Sequence, residues 1–112
     1  MKLITAVTNP ATFDAIKEAL ALFGVRGMTV GQVYRAGRRT GRPQIYRGRQ
    51  FSTDLQPSLR IELIVPNDEV PDLIHVIRRI LYASDRENGA AWTSPIDLVV
   101  RVRTSEHGAD AV

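Results

Sequence analysis

The residues of this chain best suited to binding chemistry are arginines, and more than a third of the thirteen cluster in one stretch. Five lie between positions 37 and 56, where Asp54 is the single acid. The whole chain has a formal net charge of +3, so this stretch holds all of the excess positive charge. Guanidinium groups pair bidentately with phosphate and carboxylate oxygens, and such a concentration favours an acidic or phosphorylated partner. The five are Arg38, Arg39, Arg42, Arg47 and Arg49.

Two more arginines, Arg101 and Arg103, alternate near the end of the chain. Their spacing fits either a pair of anion contacts or the solvated side of a strand, and leaves both open. The arginines between 37 and 56 also have other interpretations. They could form a solubilising charge run or, with Tyr46 and Phe51 between them, a nucleic-acid surface. Nucleic acid is disfavoured because the rest of the chain is not basic.

Catalytic and metal-binding patterns are not evident in the sequence. The chain has no cysteine, which excludes disulfides and thiolate-held metals. His75 and His107 have no second ligand at metal spacing, and the adjacent Ser-Glu-His at 105–107 cannot form a catalytic triad. We therefore expect no enzyme, no metal site and no required cofactor.

The composition predicts one folded domain over residues 1–112. A hydrophobic content of 44% with 24% charged residues is typical of a globular protein, and the length suffices for a core. No stretch approaches the roughly 18 apolar residues that cross a bilayer. We expect a cytoplasmic protein with no membrane insertion.

The elements that would position the arginines follow from apolar spacing. Strands are predicted at 2–8, 28–35, 59–66 and 96–103. Asn9 and Asn67 are predicted to cap the two helices, and Gly24 to end the first. The helices would bury two apolar stripes, which comprise Phe13, Ile16, Leu20 and Phe23 in the first and Val70, Leu73, Ile74, Ile77 and Leu81 in the second.

The order strand, helix, strand, strand, helix, strand predicts an α+β, ferredoxin-like βαββαβ sandwich. A long loop at 37–58 joins strands 2 and 3, and loops of this length are usually functional. The strands are apolar on both sides, so the uncovered face of the sheet is expected to meet other subunits. Residues 104–112 read as a C-terminal tail.

Short strings along nearly the whole chain resemble the PII signal-transduction family at matching positions. Any one of them is a weak signal, and together they are specific. They include Lys2-Leu3-Ile4-Thr5-Ala6, Gly27-Met28-Thr29-Val30, Gly37-Arg38, Tyr46-Arg47-Gly48, Ile61-Glu62, Val65-Pro66 and Arg101-Val102-Arg103-Thr104.

The resemblance implies a regulatory homotrimer that binds adenine nucleotide (ADP, AMP or ATP) in clefts between subunits. It also implies that the loop at 37–58 contacts a target protein, an enzyme or a membrane transporter, through Arg42, Tyr46, Arg47, Arg49 and Phe51. The implied nucleotide contacts are Gly27, Met28, Thr29 and Ile64 at the adenine, Glu62 at the ribose, and Gly37, Arg38, Arg101 and Arg103 at the phosphates.

Several positions depart from the family pattern. Arg39 replaces the glutamine that helps to hold magnesium, and a guanidinium repels a cation; Arg39 could contact an anion instead. Ser58 replaces the lysine that pairs with 2-oxoglutarate, and Ala90 replaces a phosphate-binding lysine. Asp85 and Glu87 add acids beside that lysine's position. We therefore expect ADP or AMP to be favoured over Mg-ATP, and 2-oxoglutarate sensing to be impaired.

Phe51 stands where some members have a tyrosine that is uridylylated, so this modification is excluded there. Alternative functions are a carboxysome- or transporter-associated PII-like protein that responds to a small anion such as bicarbonate, or an interaction module without a ligand. An acylphosphatase-like enzyme shares the fold, but residues 8–11 lack the glycine-rich, arginine-bearing loop that this chemistry needs.

Overall fold

The computed structural model describes residues 1–36, 55–103 and 106–108 with their side chains, and residues 44–46 and 49–51 by their backbone. Two α-helices follow one short 3₁₀ turn each, at Pro10–Thr12 and Asn67–Glu69. The helices are α1 (Phe13–Leu22) and α2 (Val70–Ser84). The strands are β1 (Lys2–Thr8), β2 (Thr29–Arg35), β3 (Gln44–Tyr46), β4 (Arg49–Phe51), β5 (Gln56–Val65) and β6 (Ala90–Pro95).

Four strands form an antiparallel sheet in the order β2-β5-β1-β6. In this order β1 and β5 are the central strands, and each chain half contributes one central and one edge strand. The pairing aligns Ile4 with both Leu63 and Thr93. The α+β ferredoxin-like fold predicted from the sequence is confirmed.

Both helices cover one face of this sheet. Side chains on that face of β1 and β5 join the inward stripes of α1 and α2 in a single buried cluster. The apolar spacing of both helices produces this packing, because residues three and four apart share a helix face. The cluster contains Ile4, Ala6, Ile16, Leu20, Ile61, Leu63, Val65, Leu73, Ile77 and Leu81.

The 3₁₀ turn Pro10–Thr12 continues into α1, and the two ends of this joined segment follow the predicted chemistry. Asn9 Oδ1 accepts hydrogen bonds from the Thr12 amide at 2.9 Å and the Thr12 hydroxyl at 2.6 Å. At the other end Gly24 has a φ of 96°. The Val25 amide donates to the Leu20 carbonyl, and the Gly24 amide to the Ala21 carbonyl, each at 3.0 Å. These two bonds form a Schellman motif, which glycine favours.

Three predictions about the elements were wrong. The last strand is not 96–103, because β6 lies at Ala90–Pro95 and pairs with β1. Its residues are small or polar and show no apolar alternation. The alternating residues Leu98, Val100 and Val102 after it are solvent-exposed, Val102 at 92%. Asn67 makes no side-chain cap; it is the first residue of the 3₁₀ turn. Phe23 lies at the end of α1, 39% exposed, and not in the buried stripe.

The stretch predicted as an unstructured loop contains the antiparallel pair β3–β4. The strand that follows also begins earlier than predicted, since β5 starts at Gln56 and not at Leu59. Strands this short give no detectable period in a polar, arginine-rich segment. Within the described residues, neither helix is long and apolar enough to cross a membrane.

Candidate functional site

A cleft of about 970 Å³ opens at one end of the sheet. Three segments line it: the turn after α1 at 24–29, the end of β5 at 62–66, and the segment 99–103 that follows β6. Leu3 and Glu69 complete the lining. The volume lies in the range of small-molecule sites, which extends to about 1,000 Å³.

The first wall is held by the end of α1 and the start of β2. The Schellman motif at Gly24 turns the chain, and Val25 and Met28 pack against the core cluster. Gly27 is exposed between them. Thr29 then starts β2 opposite Glu62 of β5. The wall therefore combines exposed backbone, an apolar side chain and a hydroxyl.

The second wall is a reversal of the chain after β6. The Arg101 amide donates to the Glu106 carbonyl at 2.7 Å, and the Gly108 amide donates to the Val99 carbonyl at 2.8 Å. An isolated bridge also pairs Val100 with His107. These bonds hold 99–103 beside the cleft with Arg101 and Arg103 exposed.

Charges of both signs line the cleft. Arg26, Arg101 and Arg103 supply guanidinium groups, and Glu62 and Glu69 supply carboxylates. Cations can pair with phosphate oxygens, and a carboxylate can accept hydrogen bonds from hydroxyls. The arrangement suits a ligand that is anionic at one part and hydroxylated at another.

Glu62 has a neighbouring cation on the open face of the sheet. Arg60 Nη2 lies 3.5 Å from Glu62 Oε2. The Arg60 guanidinium also lies 5.8 Å from the centre of the Trp92 ring. Trp92 is 43% exposed in the single chain and is not part of the core.

The cleft brings together seven residues that the sequence singled out, from three separate parts of the chain. They are Gly27, Met28, Thr29, Glu62, Ile64, Arg101 and Arg103. Sequence reasoning missed Arg26 and Glu69, which line the same cleft. Arg26 lies in an exposed turn and Glu69 at the end of a 3₁₀ turn, and neither position gives a periodic signal that could have identified it.

The remaining predicted residues lie outside the described ones. These are Gly37, Arg38, Arg39, Arg42 and Arg47, together with the side chains of Tyr46, Arg49 and Phe51. Among the residues that the structure does describe, no group of three or more His, Asp or Glu side chains comes together as a metal site would require.

A second polar cluster surrounds Ser58, away from the cleft lining. Arg35, the last residue of β2, donates from Nε to Ser58 Oγ at 2.6 Å. Its Nη2 lies 3.3 Å from Asp85 Oδ2 in an ion pair, and its Nη1 donates to the Asn88 carbonyl. The side chains of Arg35 and Asp85 are only 17% and 6% exposed.

The Asp85 carboxylate has two further partners in the first half of the chain. The Thr8 hydroxyl donates to Oδ2 at 2.9 Å, and the Asn9 amide donates to the same oxygen at 2.8 Å. The sequence marked Asp85 as an added acid, and the structure shows it neutralised by Arg35. No sequence pattern pointed to Arg35, because its partner lies 50 positions away.

Comparison with known proteins agrees with this architecture. The chain matches the family described as "Nitrogen regulatory protein P-II" over residues 1–106. It is 38% identical to the nitrogen regulatory protein P-II of Mesorhizobium japonicum over 112 residues, the full length of both chains. It is also 38% identical to nitrogen regulatory protein P-II 2 of Methanothermobacter thermautotrophicus, covering this chain fully and 97% of that protein.

A more distant relative is nitrogen regulatory protein GlnK of Escherichia coli, 29% identical over 106 residues and covering 95% of each chain. The resemblance drawn from short sequence strings is therefore confirmed. The chain belongs to the nitrogen regulatory protein P-II family, and is a signalling regulator rather than an enzyme.

Proposed function

We propose that this regulator binds an adenine nucleotide in the cleft between the turn at 24–29 and the segment 99–103. ADP and AMP are favoured over Mg-ATP. The cleft is completed by a neighbouring subunit of a homotrimer. The bound state is transmitted to a target protein through the basic stretch at 37–58.

The observation that carries this proposal is the convergence of seven residues on one cleft. Met28 and Ile64 offer apolar contacts to a base, and exposed Gly27 lets a ligand approach the backbone closely. Glu62 accepts hydrogen bonds from ribose hydroxyls. Arg101 and Arg103 pair with phosphate oxygens.

The preference for fewer phosphates follows from residue types. Two guanidinium groups can neutralise a diphosphate without a metal ion. Ala90 supplies no cation for a third phosphate, and Arg39 would repel the magnesium ion that normally accompanies ATP. Arg39 is better suited to a direct contact with an anion.

The environment of Ser58 supports impaired 2-oxoglutarate sensing. A lysine at this position would offer an ammonium group to a carboxylate. Ser58 instead is 2% exposed, accepts a hydrogen bond from Arg35, and donates one to the Gln56 carbonyl at 3.2 Å. The single proton of this hydroxyl is donated inside the chain, so none remains to donate to an external carboxylate.

Isothermal titration calorimetry tests the proposal. ADP, AMP and ATP are titrated with and without magnesium, then again with 2-oxoglutarate present. We expect ADP or AMP to bind more tightly than Mg-ATP, with no gain from 2-oxoglutarate. Tight Mg-ATP binding enhanced by 2-oxoglutarate would contradict the preference. Light scattering on the same samples checks for three copies.

Thermal unfolding with each nucleotide separates this function from a ligand-free interaction module. A ligand that binds only the native state raises the melting temperature. If no nucleotide raises it and none gives a heat of binding, the nucleotide proposal is wrong and the interaction module is favoured.

A further inference from the structure

Neither Arg35 nor Asp85 lines the cleft of its own chain, yet their ion pair is one of the most densely bonded groups in the described part of the chain. Arg35 donates to three groups: the Ser58 hydroxyl in β5, and the Asn88 carbonyl and the Asp85 carboxylate in the turn after α2. Asp85 in turn accepts from Thr8 and Asn9. Four segments therefore meet at one guanidinium–carboxylate pair: the ends of β1 and β2, the start of β5, and the turn between α2 and β6.

The geometry of this cluster is that of an occupied anion site. A guanidinium, a threonine hydroxyl and a backbone amide surround a carboxylate, which is the donor set that proteins use to bind oxyanions. Here the bound carboxylate is the side chain of Asp85 and not an external ligand. Arg35 retains 17% exposure of its side chain, so solvent reaches the site.

We propose that Asp85 is a built-in anion that occupies a latent oxyanion site centred on Arg35. The pair holds the end of β2 and the start of β5 to the turn between α2 and β6, and does so without an external ligand. This deepens the proposed function, because it explains how the region around Ser58 stays closed to a carboxylate effector.

The proposal predicts a gain of binding when the internal anion is removed. Asp85→Asn keeps an oxygen that can accept from Thr8 and Asn9, but it leaves the Arg35 charge uncompensated. A partly buried charge without a partner is strongly unfavourable, so an external oxyanion is expected to pair with the Arg35 guanidinium. Inorganic phosphate is the probe, with chloride at equal ionic strength as the reference.

Melting temperatures are compared in four proteins: the natural chain, Asp85→Asn, Arg35→Gln and the double variant. Phosphate can also contact Arg101 and Arg103. The test therefore uses only the part of the phosphate-induced rise in melting temperature that depends on Arg35. At a saturating phosphate concentration we expect Asp85→Asn to gain roughly 5 °C more than the double variant. Phosphate should shift the melting temperatures of the natural chain and of Arg35→Gln by the same amount.

Two results would overturn the proposal. One is an equal phosphate response in Asp85→Asn and the double variant, because the Arg35 site then binds no oxyanion. The other is a larger response in the natural chain than in Arg35→Gln, because Asp85 then fails to keep external anions out.

Should Asp85→Asn not fold in chloride, its refolding yield in phosphate becomes the measurement. Rescue by phosphate of Asp85→Asn but not of the double variant supports the latent site, and an equal yield of the two variants in phosphate refutes it. These experiments contain no nucleotide. Their outcome is therefore independent of whether the cleft at 24–29 and 99–103 binds one.

Discussion

Gly89 and Asp85 approach each other unusually closely in the turn between α2 and β6. The Gly89 amide donates to the Asp85 backbone carbonyl at 2.7 Å. A Cβ atom on Gly89 would lie 2.7 Å from that same oxygen and 3.0 Å from Leu81 Cδ2. The turn that presents the Asp85 carboxylate to Arg35 therefore has room only for glycine at position 89.

Gly89→Ala should destabilise the protein by about 1–3 kcal/mol, since the added methyl must displace backbone and not a movable side chain. Urea unfolding measures the loss. Gly31→Ala is the matched control, because a Cβ added there would meet no atom within 4 Å and the φ of Gly31 is not positive. Equal stability of the two variants would contradict the packing argument.

Gly24→Ala should cost about 1 kcal/mol for a different reason. A Cβ at Gly24 meets no atom within 4 Å, but its φ of +96° is unfavourable for residues with a side chain. Asparagine tolerates left-handed backbone better than alanine, so Gly24→Asn should lose less stability. If urea unfolding shows that Gly24→Ala loses no more stability than Gly24→Asn, the left-handed backbone is not the cause of the loss.

Asn9→Ala should destabilise the protein by about 1 kcal/mol or more, because it removes the cap of the turn that leads into α1. The Asn9 side chain also donates to the Ser84 carbonyl at 3.2 Å. Asn67→Ala is the control at the corresponding turn before α2, where no side-chain cap exists. Thermal unfolding should separate the two, and a similar loss in both would argue against capping.

Breaking the two ion pairs should have unequal effects. Arg35→Gln leaves the mostly buried Asp85 without its cation, which should cost about 3 kcal/mol. Arg60→Gln breaks a pair whose side chains are 45% and 30% exposed, and such pairs contribute less than about 1 kcal/mol. Urea unfolding of both variants checks the difference, and a larger loss at Arg60 would reverse the ranking.

Arg101→Gln should weaken ADP binding about 10- to 100-fold, the loss of one charge-assisted hydrogen bond. Calorimetry measures the dissociation constant. Arg79→Gln removes the same charge from an exposed position on α2 outside the cleft, and is expected to leave binding unchanged. An equal loss in both variants would indicate a general charge effect and not a contact.

The sequence predicted those parts of the fold that local chemistry determines. The apolar stripes of α1 and α2, apart from Phe23, the Asn9 cap and the Gly24 terminus follow from spacing and residue type, and the structure contains them. The final strand could not be recognised in this way. Ala90 and Ala91 are small, and only their pairing with β1 identifies them as part of a strand.

The candidate site likewise contains residues that the sequence identified and residues that it did not. The resemblance to the family identified Gly27, Glu62 and Arg101, and the fold brings them to one cleft. The sequence did not predict the role of Arg35, because no residue near it indicates that it pairs with a carboxylate 50 positions further along the chain. Contacts between distant segments depend on the register of the whole sheet, which no short string encodes.

The hydrogen bond from Thr8 to Asp85 joins residues 77 positions apart. Closing so long a chain loop is entropically unfavourable, so this bond is expected after the local contacts of each βαβ half. Its donor ends the first strand and its acceptor follows the last helix. Formation of this buried polar cluster therefore marks the moment in folding when the two halves have docked, and amide exchange at Asn9 would report it.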